Sequence, residues 1–394
     1  MSPSSQGPLR VDVVLGTRPE AVKLLPVIRA LRARAEFTVR VVATAQHREM
    51  LDQILTPFGV KPDLDLDVMQ PGQTLNELFA RVVPLLDRAF ADPRPDLVLV
   101  QGDTTSAFCA ALVASQRGIQ VGHIEAGLRS FDKHNPFPEE ANRRMIGALA
   151  DLHFAPTQTS ADNLLREGIA REAIVVCGNT AIDALLAVLA LPERSAPACA
   201  LRPGAPLVLI TLHRRENWLP SSAEARSPLQ DALRGLARAA RAHPEADFVY
   251  PVHRNPNVVR ATDEAFRGLA NVQLLAPLPH IPFVHLMERA HVIVTDSGGI
   301  QEEGPTLGVP VLVTRKLTER PEGLQAGTNR MVGTDEHELA RALDVALAAP
   351  AAERKGRPYP SPFGDGKSAE RICASIAHAF GRDVRAQTPL PLHP

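Results

Sequence analysis

Nine short runs rich in Val, Ile and Leu, alternating with longer stretches of helical periodicity, constrain this chain more than any other feature. They fall at 11–15, 38–44, 97–101 and 121–124, then at 207–212, 248–252, 272–275, 292–295 and 310–314. Most are continuously apolar rather than alternating, the pattern of parallel strands covered on both faces. Parallel neighbours need crossover connections, and helices between them give right-handed βαβ units. The pattern runs twice. The expected fold class is therefore α/β, with two Rossmann-like doubly wound parallel-sheet domains facing a cleft, where the carboxyl ends of strands bind ligands. At 394 residues the chain also exceeds one ordinary core.

The segment 191–204 (LPERSAPACALRPG) carries three prolines and neither helical nor strand periodicity, so it reads as a linker. A second soft stretch at 357–366 (RPYPSPFGDG) precedes a last helical pattern at 367–380. The expected organisation is an N-terminal domain over 1–190, a second domain over 191–366, and a C-terminal helix and tail over 367–394. That last helix is expected to pack back on the N-terminal domain.

Hydrophobic residues at 45% and charged residues at 22% give the balance of a folded globular chain. A net charge of −1 with only 4% aromatics lacks the basic excess and stacking rings of a nucleic-acid binder, so no nucleic-acid partner is expected. Cys109, Cys177, Cys199 and Cys373 lie far apart without a CxxC, and read as small hydrophobes in a reducing compartment. No apolar run reaches the roughly 18–20 residues of a membrane helix, and residues 1–10 lack the apolar core of a signal peptide. A cytoplasmic protein without a membrane partner is expected. The absence of a Walker A sequence, and of GxGxxG in the first βα turn, argues against a P-loop NTPase and an ordinary dinucleotide dehydrogenase. No metal-ligand constellation stands out.

The informative residues follow the strands. Gly16-Thr17-Arg18-Pro19-Glu20 reads as a capped helix start, Thr17 and Glu20 having capping-box spacing. It also sets the cation Arg18 at a strand end, where an anionic ligand would meet it. Asp103 follows the run 97–101; alone, it would read as a helix cap. Glu125 ends the next strand, and a proline-stiffened loop with Glu139 comes after. Three carboxylates at successive strand ends crowd one rim and suit acid/base exchange. In the second half, His213-Arg214 and His253-Arg254 each follow a strand, which favours anion binding. The sharpest local signal is a strand running into Ser297-Gly298-Gly299 and a helix, since bare backbone N–H groups at a helix start attract phosphate. Glu302 or Glu303 could reach a ribose diol from there, and Arg320 is a further loop-borne cation.

These motifs, in this order, closely resemble the non-hydrolysing UDP-N-acetylglucosamine 2-epimerases. The matching segments are GTRPEAVK (16–23), TAQHREMLDQ (44–53), QGDTTS (101–106), HIEAGLRS (123–130), PFPEEANRR (136–144), CGNTAIDAL (177–185), LHRREN (212–217), PVHRNPNV (251–258), TDSGGIQEEGP (295–305) and TERPE (318–322). They span nearly the whole chain. The resemblance implies a glycosyltransferase-B type fold, a UDP-sugar substrate bound through the C-terminal domain, no cofactor, no metal and a homodimer. It implies acid/base roles for Asp103, Glu125 and Glu139, and a catalytic or phosphate-contacting role for His213. Arg18, Lys23 and Arg143 match active-site cations. Ser297, Gly298 and Gly299 match a diphosphate cradle, Glu303 a ribose ligand, Phe283 a uracil neighbour and Arg320 a further ligand contact. Some bacterial members bind a second, activating UDP-sugar, and Gln46, His47, Arg214 and His253 match that region. Glu49 stands where some activated members carry Gln.

The implied reaction inverts C2 of an N-acetylhexosamine, where no carbonyl acidifies the C–H bond. Expelling UDP from C1 while a base removes the C2 proton leaves a 2-acetamidoglucal, and re-addition with protonation from the other face gives the epimer. Such a site needs acid/base groups on both ring faces and positive charge at the leaving diphosphate. Three rivals remain: a hydrolysing epimerase, whose members tend to carry GDR at positions 102–104, a glycosyltransferase, and an inactive nucleotide-sugar sensor.

Overall fold

The computed structural model describes residues 7–44, 51, 54–70, 72–192, 199–213, 226–349 and 361–382. The chain divides into two compact units, one of Met1–Ala187 with Phe363–Pro394, the other of Val188–Pro362.

In the first unit β1 (Leu9–Leu15), β2 (Phe37–Ala43), β3 (Leu64–Asp65), β4 (Leu97–Gln101), β5 (Gln120–Ile124), β6 (Leu152–Ala155) and β7 (Ile174–Val176) form one sheet. Their spatial order is β3-β2-β1-β4-β5-β6-β7, and every neighbouring pair is parallel. Apolar residues occupy successive positions because both faces are covered. Leu97 and Leu99 of β4 pack with Leu24, Ile28 and Leu31 of the helix Arg18–Arg32. Val98 and Val100 pack on the other side with Leu78, Val82 and Leu86 of the helix Leu75–Ala89. The last described helix, Ser368–Ala379, belongs to this unit: Ile372, Cys373 and Ile376 share the cluster of Leu24, Ile28 and Leu31. Its Ala369 N–H donates to Asp183 Oδ1 at 2.8 Å.

The second unit repeats the plan with β8 (Leu207–Thr211), β9 (Asp247–Pro251), β10 (Val272–Leu275), β11 (Val292–Thr295), β12 (Val311–Val313) and β13 (Asn329–Met331). The order is β10-β9-β8-β11-β12-β13, again all parallel. Both sheets are thus Rossmann-like. In each, the winding direction reverses between the first and fourth strands, β1 and β4 in one unit, β8 and β11 in the other. The carboxyl ends at such a reversal form the crevice in which this architecture binds ligands.

Thr17 and Glu20 form the expected capping box at the first helix. The four cysteines are free; Cys109, Cys177 and Cys373 are buried and Cys199 half-buried. Burial pushes the thiols of Cys109 and Cys373 up to about 12, so they pack as hydrophobes rather than react. Among the described residues no helix is long and apolar enough to cross a membrane.

Candidate functional site

In the first unit the candidate residues gather at the ends of β4 and β5. Gln101 and Ile124 are register partners, so Asp103 and Glu125 leave the sheet from adjacent strands. Asp103 does not cap the following helix. Thr104 does, its hydroxyl accepting from the Ala107 N–H at 3.0 Å. The Asp103 carboxylate instead takes an ion pair from Arg143 Nη2 at 2.6 Å. Arg143 comes from the helix Glu139–Leu149, one turn after Glu139. Asn142 on the same helix donates to the Asp103 carbonyl at 2.8 Å, which ties that helix start to the end of β4. Glu140, fully buried beside the half-buried Glu139, anchors the helix by accepting from the Ser130 N–H at 2.9 Å.

Glu125 is buried and sits at φ 65°, in the left-handed region that a residue with a β-carbon seldom occupies. Its carboxylate forms an ion pair with Lys23, from the middle of the helix Arg18–Arg32. The same oxygen accepts from Gln101 Nε2 at 3.1 Å and from Asn179 Nδ2 at 3.4 Å. Crowded carboxylates were expected on this rim, yet Asp103 and Glu125 each face a cation, which offsets their mutual repulsion. Arg18 is exposed at the first position of its helix.

A buried imidazole supports this rim. His123 on β5 contacts the Gly102 carbonyl through Nε2 at 2.7 Å. Burial is the main cause that drives its pKa from 6.5 down to about 3, so it is neutral in the folded unit. The folded value lies below the unfolded one, so the stability linked to His123 is present above pH 6.5 and is lost as pH falls toward 3. The expected slope is about 1.4 kcal/mol per pH unit in that window. Urea unfolding at a series of pH values checks this, and a His123→Gln variant should show a shallower acid dependence.

In the second unit the candidates lie at the ends of β8, β9 and β11. Thr211 and Thr295 are register partners, and their hydroxyls bond at 2.6 Å. His213, half-exposed, follows β8, and Asp296 follows β11. Both Asp296 oxygens accept from the His213 backbone N–H, at 3.1 and 3.0 Å, and His213 Nδ1 lies 3.1 Å from Oδ1. A buried carboxylate thus fixes where the imidazole stands. His253, after β9, is exposed and accepts from the Asn255 N–H at 3.2 Å. Partial burial and then the proximity of His213 lower its pKa.

Ser297 precedes the helix Gly298–Thr306. A β-carbon on Gly298 would lie 2.6 Å from Arg320 Nη1, so only glycine lets the guanidinium pack on this helix start. A β-carbon on Gly299 would meet nothing within 4 Å, so that turn faces open space. Arg320 Nε donates to Glu302 at 2.5 Å, and both side chains are buried. Of the two acids considered from the sequence, Glu302 is therefore committed to Arg320, and Glu303 is the partly exposed one. Phe283, partly exposed, lies in the first turn of the helix His280–Arg289. The unit thus presents a helix N-terminus, a guanidinium and a histidine at neighbouring strand ends, which suits a phosphorylated ligand. Gln46, His47 and Arg214 lie outside the described residues.

Sequence reasoning passed over the residues that hold these groups: Gln101, Asn179 and Asp296. Asp296 adjoins the Ser-Gly-Gly turn and Gln101 ends a strand, so position alone marked them. Asn179 lies in the segment 177–185, just past β7, where nothing in the residue pattern points to Glu125.

Residues 29–377 match the family model described as UDP-N-acetylglucosamine 2-epimerase. A Ralstonia nicotianae protein named "Probable UDP-N-acetylglucosamine 2-epimerase" is 46% identical over 379 residues, 94% of this chain and 99% of that protein. The UDP-N-acetylglucosamine 2-epimerase of Bacillus subtilis is 43% identical, over 95% of this chain and 96% of its own length. Among solved structures, the UDP-GlcNAc 2-epimerase of Neisseria meningitidis bound to UDP-GlcNAc superposes with a TM-score of 0.86. It is 40% identical and covers 94% of this chain and 100% of its own. The strand-end residues, the two Rossmann-like sheets and these near full-length similarities agree, and the chain belongs to the UDP-N-acetylglucosamine 2-epimerase family.

Proposed function

We propose that this chain interconverts UDP-N-acetylglucosamine and UDP-N-acetylmannosamine without hydrolysis, by eliminating UDP to 2-acetamidoglucal and adding it back. The observation that carries this reading is the pairing of Asp103 with Arg143 and of Glu125 with Lys23 at adjacent strand ends. Carboxylates held beside cations can take and return a proton, the task that C2 inversion sets. The Neisseria relative binds UDP-GlcNAc, which supports the same substrate here.

In this scheme a base among Asp103, Glu125 and Glu139 removes the C2 proton while the C1–O bond to the β-phosphate breaks. The electron pair of the C–H bond becomes the C1=C2 double bond, and UDP leaves with the electrons of the C–O bond. The second unit binds UDP: Ser297, the backbone N–H groups of Gly298 and Gly299, and Arg320 hold the diphosphate, Glu303 the ribose and Phe283 the uracil. His213, steadied by Asp296, serves the leaving phosphate. Arg18, Lys23 and Arg143 complete the positive surroundings. Protonation of C2 from the opposite face as UDP returns gives the epimer. Each positioned acid or base is worth ~10²–10⁴-fold. Chain positions 102–104 read Gly-Asp-Thr, not the GDR of hydrolysing relatives. A homodimer, and regulation by a second UDP-sugar through the His253 region, belong to the same proposal.

Incubation with UDP-N-acetylglucosamine in D₂O, followed by NMR, tests it. Deuterium at C2 of a UDP-linked epimer is the expected product. Free N-acetylmannosamine with UDP would replace this reading by hydrolysis. Recovery of unlabelled substrate alone would remove the epimerase reading.

A further inference from the structure

We propose that Asn179 is a positioning residue for this chemistry, its side-chain amide acting with that of Gln101 to hold the Glu125 carboxylate ionised and in one orientation. The inference rests on the epimerase reading above. Asn179 is buried at the start of the helix Thr180–Leu189. Its Oδ1 accepts from the Ala181 N–H at 2.9 Å, a cap bond that only the oxygen can make. That bond fixes the amide's orientation, so a donating Nδ2 faces Glu125 Oε2, 3.4 Å away. Gln101 Nε2 reaches the same oxygen at 3.1 Å.

The backbone around Asn179 is pinned from a distant part of the chain. Its N–H donates to the carbonyl of the buried Phe363 at 2.7 Å, where the chain re-enters the first unit. Gly364, at φ 133°, packs so closely that a β-carbon there would lie 3.3 Å from Gly178 Cα and 3.4 Å from Asn179 N. A segment that only had to return to the unit needs no such contact. One that must hold a turn in register does.

Titratable groups near Glu125 include Lys23, from the first helix, and the neutral His123, two residues earlier on β5, whose imidazole feels the Glu125 charge. Asp103, just past the end of the neighbouring strand β4, is held by Arg143. Hydrogen bonds donated to a carboxylate favour its charged form, so both amides and Lys23 favour the same state.

Asn179→Asp tests this directly. It keeps the cap acceptor and the shape, but sets a second carboxylate where the donor was. The acid limb of the kcat/KM profile should move up by about one pH unit or more. At pH 7 kcat should fall about tenfold or more, with KM within about twofold. Asn179→Ser, which keeps a cap acceptor and replaces the long amide donor by a shorter hydroxyl, should shift the limb the same way by less; it carries the test if the Asp variant does not fold. A merely structural role would lower thermal stability and leave the profile in place, and that result in both variants overturns the inference. Carbon-13 NMR of the Glu125 carboxyl gives a readout independent of turnover. Its titration should move up in Asn179→Asp whatever reaction the chain performs, and an unmoved titration also overturns the inference. A wild type without C2 exchange would instead reject the epimerase reading.

Discussion

Glu125→Gln is expected to lower kcat by ~10²–10⁴-fold while circular dichroism remains that of the folded protein. The substitution preserves shape but removes the charge that Lys23 pairs with. Substrate is bound chiefly through UDP in the proposed scheme, so KM should change little and the loss should appear in kcat. Asp103→Asn should act in the same range, because it removes the carboxylate just past β4 that Arg143 Nη2 pairs with. His213→Asn should also reduce turnover strongly. Steady-state rates and C2–deuterium exchange on the three variants check the assignment, and near-normal rates in all of them would refute it.

Arg320→Met is expected to destabilise the second unit by about 3–5 kcal/mol, the range for removing one partner of a buried ion pair. Glu302 is only 1% exposed and bonds Arg320 Nε at 2.5 Å, so the substitution takes a cation away from a carboxylate in the interior. The loss should also weaken UDP binding, because the guanidinium packs against Gly298 at the helix start. Adding Glu302→Gln should recover much of the stability without restoring affinity, which separates the two roles. Urea unfolding and UDP titration calorimetry provide the numbers. An Arg320→Met protein within about 1 kcal/mol of wild type would show that Glu302 finds full compensation elsewhere.

The fold class was legible because buried parallel strands leave an unambiguous trace. The runs 97–101, 272–275 and 292–295 coincide with β4, β10 and β11. What escaped has a physical reason in each case. β3 and β13 are edge strands whose sequences, Leu-Asp and Asn-Arg-Met, form no apolar run, and β7 is an apolar edge strand of only three residues. β6 lies inside its sheet, but a buried His153 interrupts it and disguises it as a loop. In the site, positions just after strands could be named from order alone. Partnerships could not: Lys23 meets Glu125 across 102 positions of sequence, and Asp296 reaches back to His213. Asp103 shows the limit most clearly. Its neighbour Thr104 took the capping task, and only side-chain geometry reveals which of the two is released for other work.

The first unit is discontinuous along the chain, closed by residues that follow Pro362. During translation its sheet emerges early, but the apolar stripe of Leu24, Ile28 and Leu31 stays incompletely covered until Ile372, Cys373 and Ile376 leave the ribosome. The second unit, uninterrupted from Val188 to Pro362, can finish folding in the interval. A nascent chain of this design exposes a sticky surface for the time needed to synthesise an entire second unit. It should therefore depend on chaperones more than a tandem arrangement of the same two units would.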